Sequence, residues 1–144
     1  MKLFKLIFIL SMTFSFGEVM AQDVPRDEDG FPTFEYTEDD STYVMRQYVF
    51  VMYIKAEGGD DFSEEELAEI QAGHMAHIGK MADEGNLVMA GPFGDKAEWR
   101  GILIFNDHDV ERVSELVNQD PAVQAGRLTF EAHPWWAARG SRLP

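Results

Sequence analysis

The chain has 144 residues, of which 26 are Asp or Glu and 12 are Lys or Arg, so its formal net charge at pH 7 is −14. This acidic balance repels nucleic-acid phosphate and anionic lipid, and it predicts no nucleic-acid partner and no membrane partner. The chain has no cysteine, which excludes disulfides, so packing or subunit association has to stabilise the fold.

Residues 1–21 have the pattern of a signal peptide. Two lysines precede an apolar run at 6–16, and Val19 and Ala21 fit the small-residue positions of a cleavage site. The run is shorter than the ~20 residues that a membrane-spanning helix requires. We therefore expect cleavage after Ala21 and a secreted or periplasmic protein.

The rest of the chain divides into a linker, one domain and a tail. Residues 22–44 are rich in Asp, Glu, Pro and Gly and have no apolar period, which predicts a disordered acidic linker. The domain is expected over residues 45–137, and a short basic tail over 138–144. Within the domain, residues 48–54 are all apolar and mostly β-branched or aromatic, which predicts a strand buried on both faces.

A helix is predicted to follow Ser63, because Ser63 and Glu66 have the spacing of a capping box. Gly85 supplies the left-handed residue that commonly ends a helix. Further strands are predicted at 86–90, 100–105 and 128–132, and a second helix at 110–118. The order β-α-β-β-α-β predicts an α+β, ferredoxin-like domain, in which an antiparallel sheet carries both helices on one face.

The second face of this sheet would be apolar and open to water in a monomer, because two strands are apolar on both faces. We expect two copies to pair these faces, which gives a homodimer with the architecture of a dimeric α+β barrel. The alternative is that the linker, or Trp135 and Trp136, cover the face within one chain.

His74 is the most informative residue of the first predicted helix. At about 100° per residue, Ile70, His74 and Ile78 lie on one apolar stripe, and His77 lies at its edge. A buried imidazole requires a hydrogen-bond partner or a cavity. A histidine that is simply satisfied within the core explains this pattern as well as a catalytic histidine does.

Asp120 is a candidate partner for His74. It lies at the end of the second predicted helix, on the same side of the sheet as the first. A carboxylate on one imidazole nitrogen would fix the tautomer and leave the other nitrogen free as an acid or base. Asp120 is also explained as a turn residue before Pro121.

The histidines and the residues around the predicted cavity are also candidate ligands of a metal or a substrate. His74, His77 and Asp120 offer three metal ligands, but without a His-Glu-x-x-His pattern or cysteine we expect no metal site. No glycine-rich phosphate loop is present, and no cofactor is predicted. Substrate-binding positions are predicted at residues that follow a strand or flank the helix cavity, namely His77, Gly91, Pro92, Phe93 and His133.

Five segments, at 74–78, 83–93, 100–105, 120–128 and 133–135, occur in an order and spacing that are similar to those of the YCII-related family. The resemblance covers residues 47–136. It implies a ferredoxin-like dimeric α+β barrel and an active-site His–Asp pair, which falls on His74 and Asp120. His77 is not part of the family's pattern.

These observations favour a small-molecule enzyme, a cofactor-independent lyase or isomerase in which His74 and Asp120 transfer a proton. The alternative is a non-catalytic periplasmic module that binds a small ligand in the same cavity. A third hypothesis is an interaction protein whose acidic linker docks a partner.

Overall fold

A computed structural model describes residues 24–141 and 143–144. The predicted signal peptide, residues 1–21, lies outside the described residues. The elements are β1 Thr33–Glu38, β2 Ser41–Lys55, α1 Glu64–Asp83, β3 Leu87–Pro92, β4 Trp99–Phe105, α2 Val110–Val117, α3 Pro121–Gln124 and β5 Leu128–Ala138. None of the helices in this part of the chain has the length and apolar composition needed to cross a bilayer.

Strand β2 is the centre of an antiparallel sheet. It pairs with β5 along one edge and with β4 along the other, and β3 pairs with the outer side of β4. The resulting order β5-β2-β4-β3 is that of a ferredoxin-like sheet, and the helices pack on one of its faces. The predicted α+β class and ferredoxin-like arrangement are therefore confirmed.

Local sequence signals set the ends of α1. The Ser63 hydroxyl accepts from the Glu66 N–H at 3.3 Å, and the Glu66 carboxylate accepts from the Ser63 N–H at 2.8 Å, which completes the predicted capping box. At the other end, Gly85 has φ +76°, the left-handed conformation that glycine adopts without steric cost.

The core lies between this helix layer and the sheet. Alternate residues of β2 point towards the helices, and the same holds for β4. Together with buried residues of α1 and α2 they form the core, which consists of Val49, Val51, Tyr53, Met81, Leu103, Phe105, Val113 and Val117. Tyr53 is the only one of these with a polar side-chain atom, so its hydroxyl requires a partner inside the core.

The prediction of a disordered linker over residues 22–44 is wrong for most of its described part. Residues Thr33–Glu38 form β1, which pairs with the first residues of β2. Met45 and Arg46 of β2 pair with β1 on one side and with β5 on the other. β1 therefore lies on the same side of β2 as β4, which pairs with β2 further along the strand. The sheet is thus extended by a hairpin that lies outside the ferredoxin-like core.

Arg46 explains why this acidic segment is ordered. Its guanidinium lies 3.0 Å from the Asp27 carboxylate and 3.1 Å from the Asp29 carboxylate, and it stacks 3.7 Å from the centroid of the Phe31 ring. Burial raises the pKa of Asp27, but hydrogen bonds from the Phe31 and Asp29 N–H groups and the charge of Arg46 lower it below its usual value. Acidic residues that suggest disorder by composition are therefore the partners of a buried arginine.

Strand β5 is longer than the predicted 128–132 and continues through Pro134 to Ala138. The proline is tolerated because β5 is an edge strand. Its outer side pairs with no described strand, so the N–H group that proline lacks is not needed there for a hydrogen bond. Ala138, which was assigned to the tail, is thus the last residue of the domain's sheet.

The face of the sheet opposite to α1 carries half-buried apolar side chains from β2 and β4, including Phe50, Met52 and Ile102. The Trp135 ring covers part of this outer face, with its centroid 6.3 Å from that of Phe50. The described part of the N-terminal segment reaches this face at one end, where the Phe31 and Tyr48 rings are 6.5 Å apart.

Candidate active site

Asp120 is the N-cap of α3 and its carboxylate is completely buried. Oδ1 accepts a hydrogen bond from the Ala122 N–H at 2.8 Å. Oδ2 accepts two more, from the Tyr53 hydroxyl at 2.6 Å and from Nδ1 of His74 at 2.7 Å. Distances this short are typical of hydrogen bonds to a charged acceptor. The three hydrogen bonds offset the free-energy cost of burying the anion.

The surroundings of Asp120 favour its ionised form. Burial alone raises the pKa of this carboxyl, but the hydrogen bonds from His74, Tyr53 and the Ala122 backbone outweigh burial and hold the pKa below its usual value. Burial and the adjacent carboxylate raise the pKa of Tyr53 far above its usual value, so the phenol stays protonated and acts as a donor.

His74 is oriented by this carboxylate. Because an ionised Asp120 only accepts, the Nδ1 atom of His74 carries the hydrogen, and the neutral ring then has a lone pair on Nε2. The edge of the Tyr53 ring packs against the imidazole, with centroids 5.4 Å apart. Nε2 forms no hydrogen bond within the described residues, while the His74 side chain lines two adjoining cavities. The imidazole is thus held by the carboxylate at one nitrogen, and its side chain borders space that a ligand could enter.

The helix contact that brings Asp120 to His74 depends on Gly73. A Cβ at this position would lie 3.0 Å from Cγ and 3.1 Å from Cβ of Pro121, which is tighter than ordinary packing. The missing side chain allows the proline ring to rest directly on α1. The contact between Gly73 and Pro121 therefore fixes the distance between His74 and Asp120.

The two cavities differ in chemical character. The first has a volume of about 310 Å³, is lined by residues of α1 and of the sheet, and is mainly apolar. The second has a volume of about 520 Å³ and is lined mainly by polar and charged side chains. His74 and Arg100 line both cavities, so the imidazole lies where an apolar space meets a polar one. Volumes of this size suit small organic molecules.

Two of the predicted substrate-binding residues lie at this site. Gly91 and Pro92 line the apolar cavity, and Pro92 also lines the polar one. Their position depends on Gly101 of β4, where a Cβ would lie 2.8 Å from the Gly91 carbonyl oxygen. The glycine lets the end of β3 approach β4 closely and form a wall of the cavity.

Three other predicted substrate-binding residues are not brought to the site. The Nε2 atom of His77 donates to the Leu116 carbonyl at 3.0 Å, which ties α1 to α2. Phe93 packs 6.1 Å from the Trp99 ring centroid, outside both cavities. His133 pairs with Phe50 across the β2–β5 ladder and so points to the outer face, away from His74.

Four residues of the site were not predicted from the sequence, namely Tyr53, Gln71, Gly73 and Arg100. The hydroxyl of Tyr53 was hidden in an otherwise apolar run, although a polar atom in such a run itself indicates a buried partner. Among the described residues, no three His, Cys, Asp or Glu side chains are grouped so that they could hold a metal ion.

The sequence model of the YCII-related domain family matches residues 47–134. No curated protein matches the chain. Among solved structures, the chain is similar to 5-chloro-2-hydroxyhydroquinone dehydrochlorinase (TftG) from Burkholderia phenoliruptrix AC1100 in complex with 2,5-dihydroxybenzoquinone. The two share 21% sequence identity with a TM-score of 0.45, over 60% of this chain and 92% of that chain.

Replacing Gly73 with alanine should disturb the site through Pro121. Overpacking costs about 1–3 kcal/mol, which outweighs the roughly 1 kcal/mol that alanine gains over glycine within a helix. We expect lower stability in urea unfolding and a changed NMR signal of the His74 ring.

Gly79→Ala is the matched control, because it lies in the same helix and its Cβ would meet nothing within 4 Å. This variant should be more stable than the parent chain and leave His74 unchanged. Equal stability of the two variants, with identical His74 signals, would show that Gly73 does not set the distance.

Asp120→Asn should reduce stability in a pH-dependent way. The pKa of Asp120 is lowered in the folded chain, so its contribution is complete above the unfolded value of 3.8 and is lost as pH falls below it. Near neutral pH we expect a loss of about 2 kcal/mol, because an amide nitrogen would replace one accepting oxygen. Melting temperatures measured across acidic pH should converge for parent and variant. A gap that stays constant down to acid unfolding would contradict the ionised, hydrogen-bonded carboxylate.

Proposed function

The chain belongs to the YCII-related domain family, and we propose that it is a small-molecule enzyme in which His74 transfers a proton and Asp120 orients His74. One observation carries this proposal: Nδ1 of His74 is bound by a buried carboxylate, while Nε2 has no hydrogen-bond partner among residues 24–141 and 143–144 and the side chain lines two cavities. A histidine that served only the core would have both nitrogens satisfied or packed against hydrocarbon.

The arrangement supports lyase-like or isomerase-like chemistry. The Nε2 lone pair removes a proton from an activated C–H bond of the substrate, whose electron pair moves into the adjacent unsaturated group. In an isomerisation, the same nitrogen returns the proton to a different carbon atom. In an elimination, the electron pair expels a leaving group as an anion, and the imidazolium passes its proton to water. Neither reaction needs an oxidant or a reductant.

Asp120 supports this cycle electrostatically. The imidazolium that forms after proton abstraction lies 2.7 Å from a full negative charge, so the carboxylate stabilises the charged intermediate state. The Tyr53 hydroxyl holds the same oxygen at 2.6 Å and prevents the carboxylate from rotating away. Tyr53 is therefore a positioning residue in this scheme.

A generic probe tests the proposal without knowledge of the natural substrate. The ring of 5-nitrobenzisoxazole opens when a base removes its C–H proton, because the electron pair of that bond forms a nitrile as the N–O bond breaks, and the single product is a coloured cyanophenolate. We expect the parent chain to open this ring faster than free imidazole at the same concentration. His74→Gln should lose about 10²–10⁴-fold of the rate, the usual contribution of a positioned base.

His133→Gln is the control, since His133 lies on the opposite face of the sheet and is largely exposed. It should keep the parent rate. A parent rate equal to that of His74→Gln would overturn the proton-transfer proposal. Binding of the probe by the parent chain without ring opening would instead assign the cavities to ligand capture.

We further propose that the chain pairs as a homodimer through the outer face of the sheet. Trp135 is 40% exposed, and a groove of about 270 Å³ opens beside it between Tyr48, Met89 and Ile104. The N-terminal segment from residue 24 onwards contacts this face at one end, through Phe31 and Tyr48. A second sheet packed on the rest would remove the remaining apolar area from water, at about 25 cal/mol per Å².

Light scattering should give twice the monomer mass for the parent chain. Phe50→Glu places a charge at the centre of the outer face and should give the monomer mass with the helix content intact. Ala76→Glu, on the exposed side of α1, should remain dimeric. A monomeric parent chain over the whole accessible concentration range would exclude this interface.

A further inference from the structure

The polar cavity beside His74 is lined by an unusual number of cations. Four of its lining residues are basic, namely Lys55, Lys96, Arg100 and Arg127, and Asp60 is the only acidic one. The chain as a whole has 26 acidic and 12 basic residues. A surface sampled at random from this composition would be acidic, whereas the wall of this cavity carries a formal charge of +3.

The topology of the sheet collects these cations. Lys55 is the last residue of β2, Arg100 lies at the start of β4, and Arg127 immediately precedes β5. Because β2 is antiparallel to both β4 and β5, these three positions meet at one end of the sheet. That end is where the polar cavity opens next to His74.

The cations are only partly neutralised by the protein. The Lys55 ammonium pairs with the Asp60 carboxylate, and Arg127 donates to the Gln71 side chain at 3.1 Å. Within the described part of the chain, Arg100 and Lys96 form no ion pair. The pKa of Asp60 is lowered by its hydrogen bond from Lys55 and further by the charges of Arg100 and Arg127.

We propose that the substrate is a small organic carboxylate with an apolar, ring-sized body. The inference rests on the proposed function of His74 and names the class of molecule on which it acts. Arg100 receives the carboxylate, because it is the cationic residue that lines both cavities and its planar fork matches two carboxylate oxygens. Arg127, Lys55 and Lys96 complete the positive wall.

The apolar cavity accepts the rest of the molecule. Its wall includes Met75, Ile78 and Leu103, and its volume of about 310 Å³ suits a single ring with short substituents. Since His74 lies where the two cavities join, a molecule that spans both presents its middle carbon atoms to Nε2. The cations then also stabilise the negative charge that develops when the proton leaves.

The charge pattern also affects how the substrate arrives. An acidic protein repels anions at a distance, but a cavity with positive walls and a low-dielectric lining concentrates them at its mouth. Binding should consequently weaken as salt screens the cations. A neutral molecule of the same shape would show no such dependence.

Matched pairs of ligands test the inference. Phenylacetate and cyclohexanecarboxylate are compared with their neutral amides by calorimetric titration of the full chain. We expect each acid to bind at least about tenfold more tightly than its amide at low salt, and the ratio to fall at high sodium chloride. Arg100→Gln should abolish the preference, whereas Arg139→Gln, at an exposed arginine outside both cavities, should keep it.

The same titration on His74→Gln separates this inference from the proposed function. Carboxylate preference that survives in His74→Gln, together with loss of ring opening by that variant, supports both. Ring opening that depends on His74, combined with equal binding of acids and amides or no binding of either, overturns the carboxylate inference alone. Carboxylate preference in a parent chain that never opens the probe ring supports the ligand class and overturns proton transfer.

Discussion

The buried carboxylate of Asp120 is the constraint on which the rest of the site depends. An anion without water requires donors, and three separate elements supply them: Tyr53 from β2, His74 from α1 and the backbone of Ala122 in α3. These hydrogen bonds link the sheet to α1 and α3 at one point. The same bonds that satisfy the charge also orient the imidazole, so packing and chemistry have a common physical cause.

The position of this carboxylate determines what the neighbouring space can do. Gly73 lets α3 rest on α1, and Gly101 lets the end of β3 approach β4 at the wall of the apolar cavity. His74 lies where this apolar cavity meets one with a positive wall. The proposed removal of a proton from an organic acid rests on these three features together, namely the imidazole, the carboxylate that orients it and the positive wall. The acidic surface elsewhere sets that wall apart from the rest of the molecule.

Local signals were sufficient to predict the core of the fold, because the capping box at Ser63, the glycine at 85 and the apolar strands depend on neighbours in sequence. The pairing of His74 with Asp120 also followed, since helix periodicity and the family resemblance both pointed to it. Other features that depend on distant residues were missed. The order of the N-terminal segment comes from Arg46, whose partners were counted as signs of disorder. His133 was misplaced because the face of a strand depends on its register, which a single strand does not reveal.

The tautomer of His74 tests the central claim most directly. Nitrogen-15 NMR of the imidazole at neutral pH distinguishes a protonated Nδ1 from a protonated Nε2. The hydrogen bond to Asp120 predicts a single tautomer with the hydrogen on Nδ1 and a pyridine-like Nε2, a pattern that Asp120→Asn abolishes. A parent chain in which Nε2 carries the hydrogen, or in which the two tautomers average as in free histidine, would contradict the account.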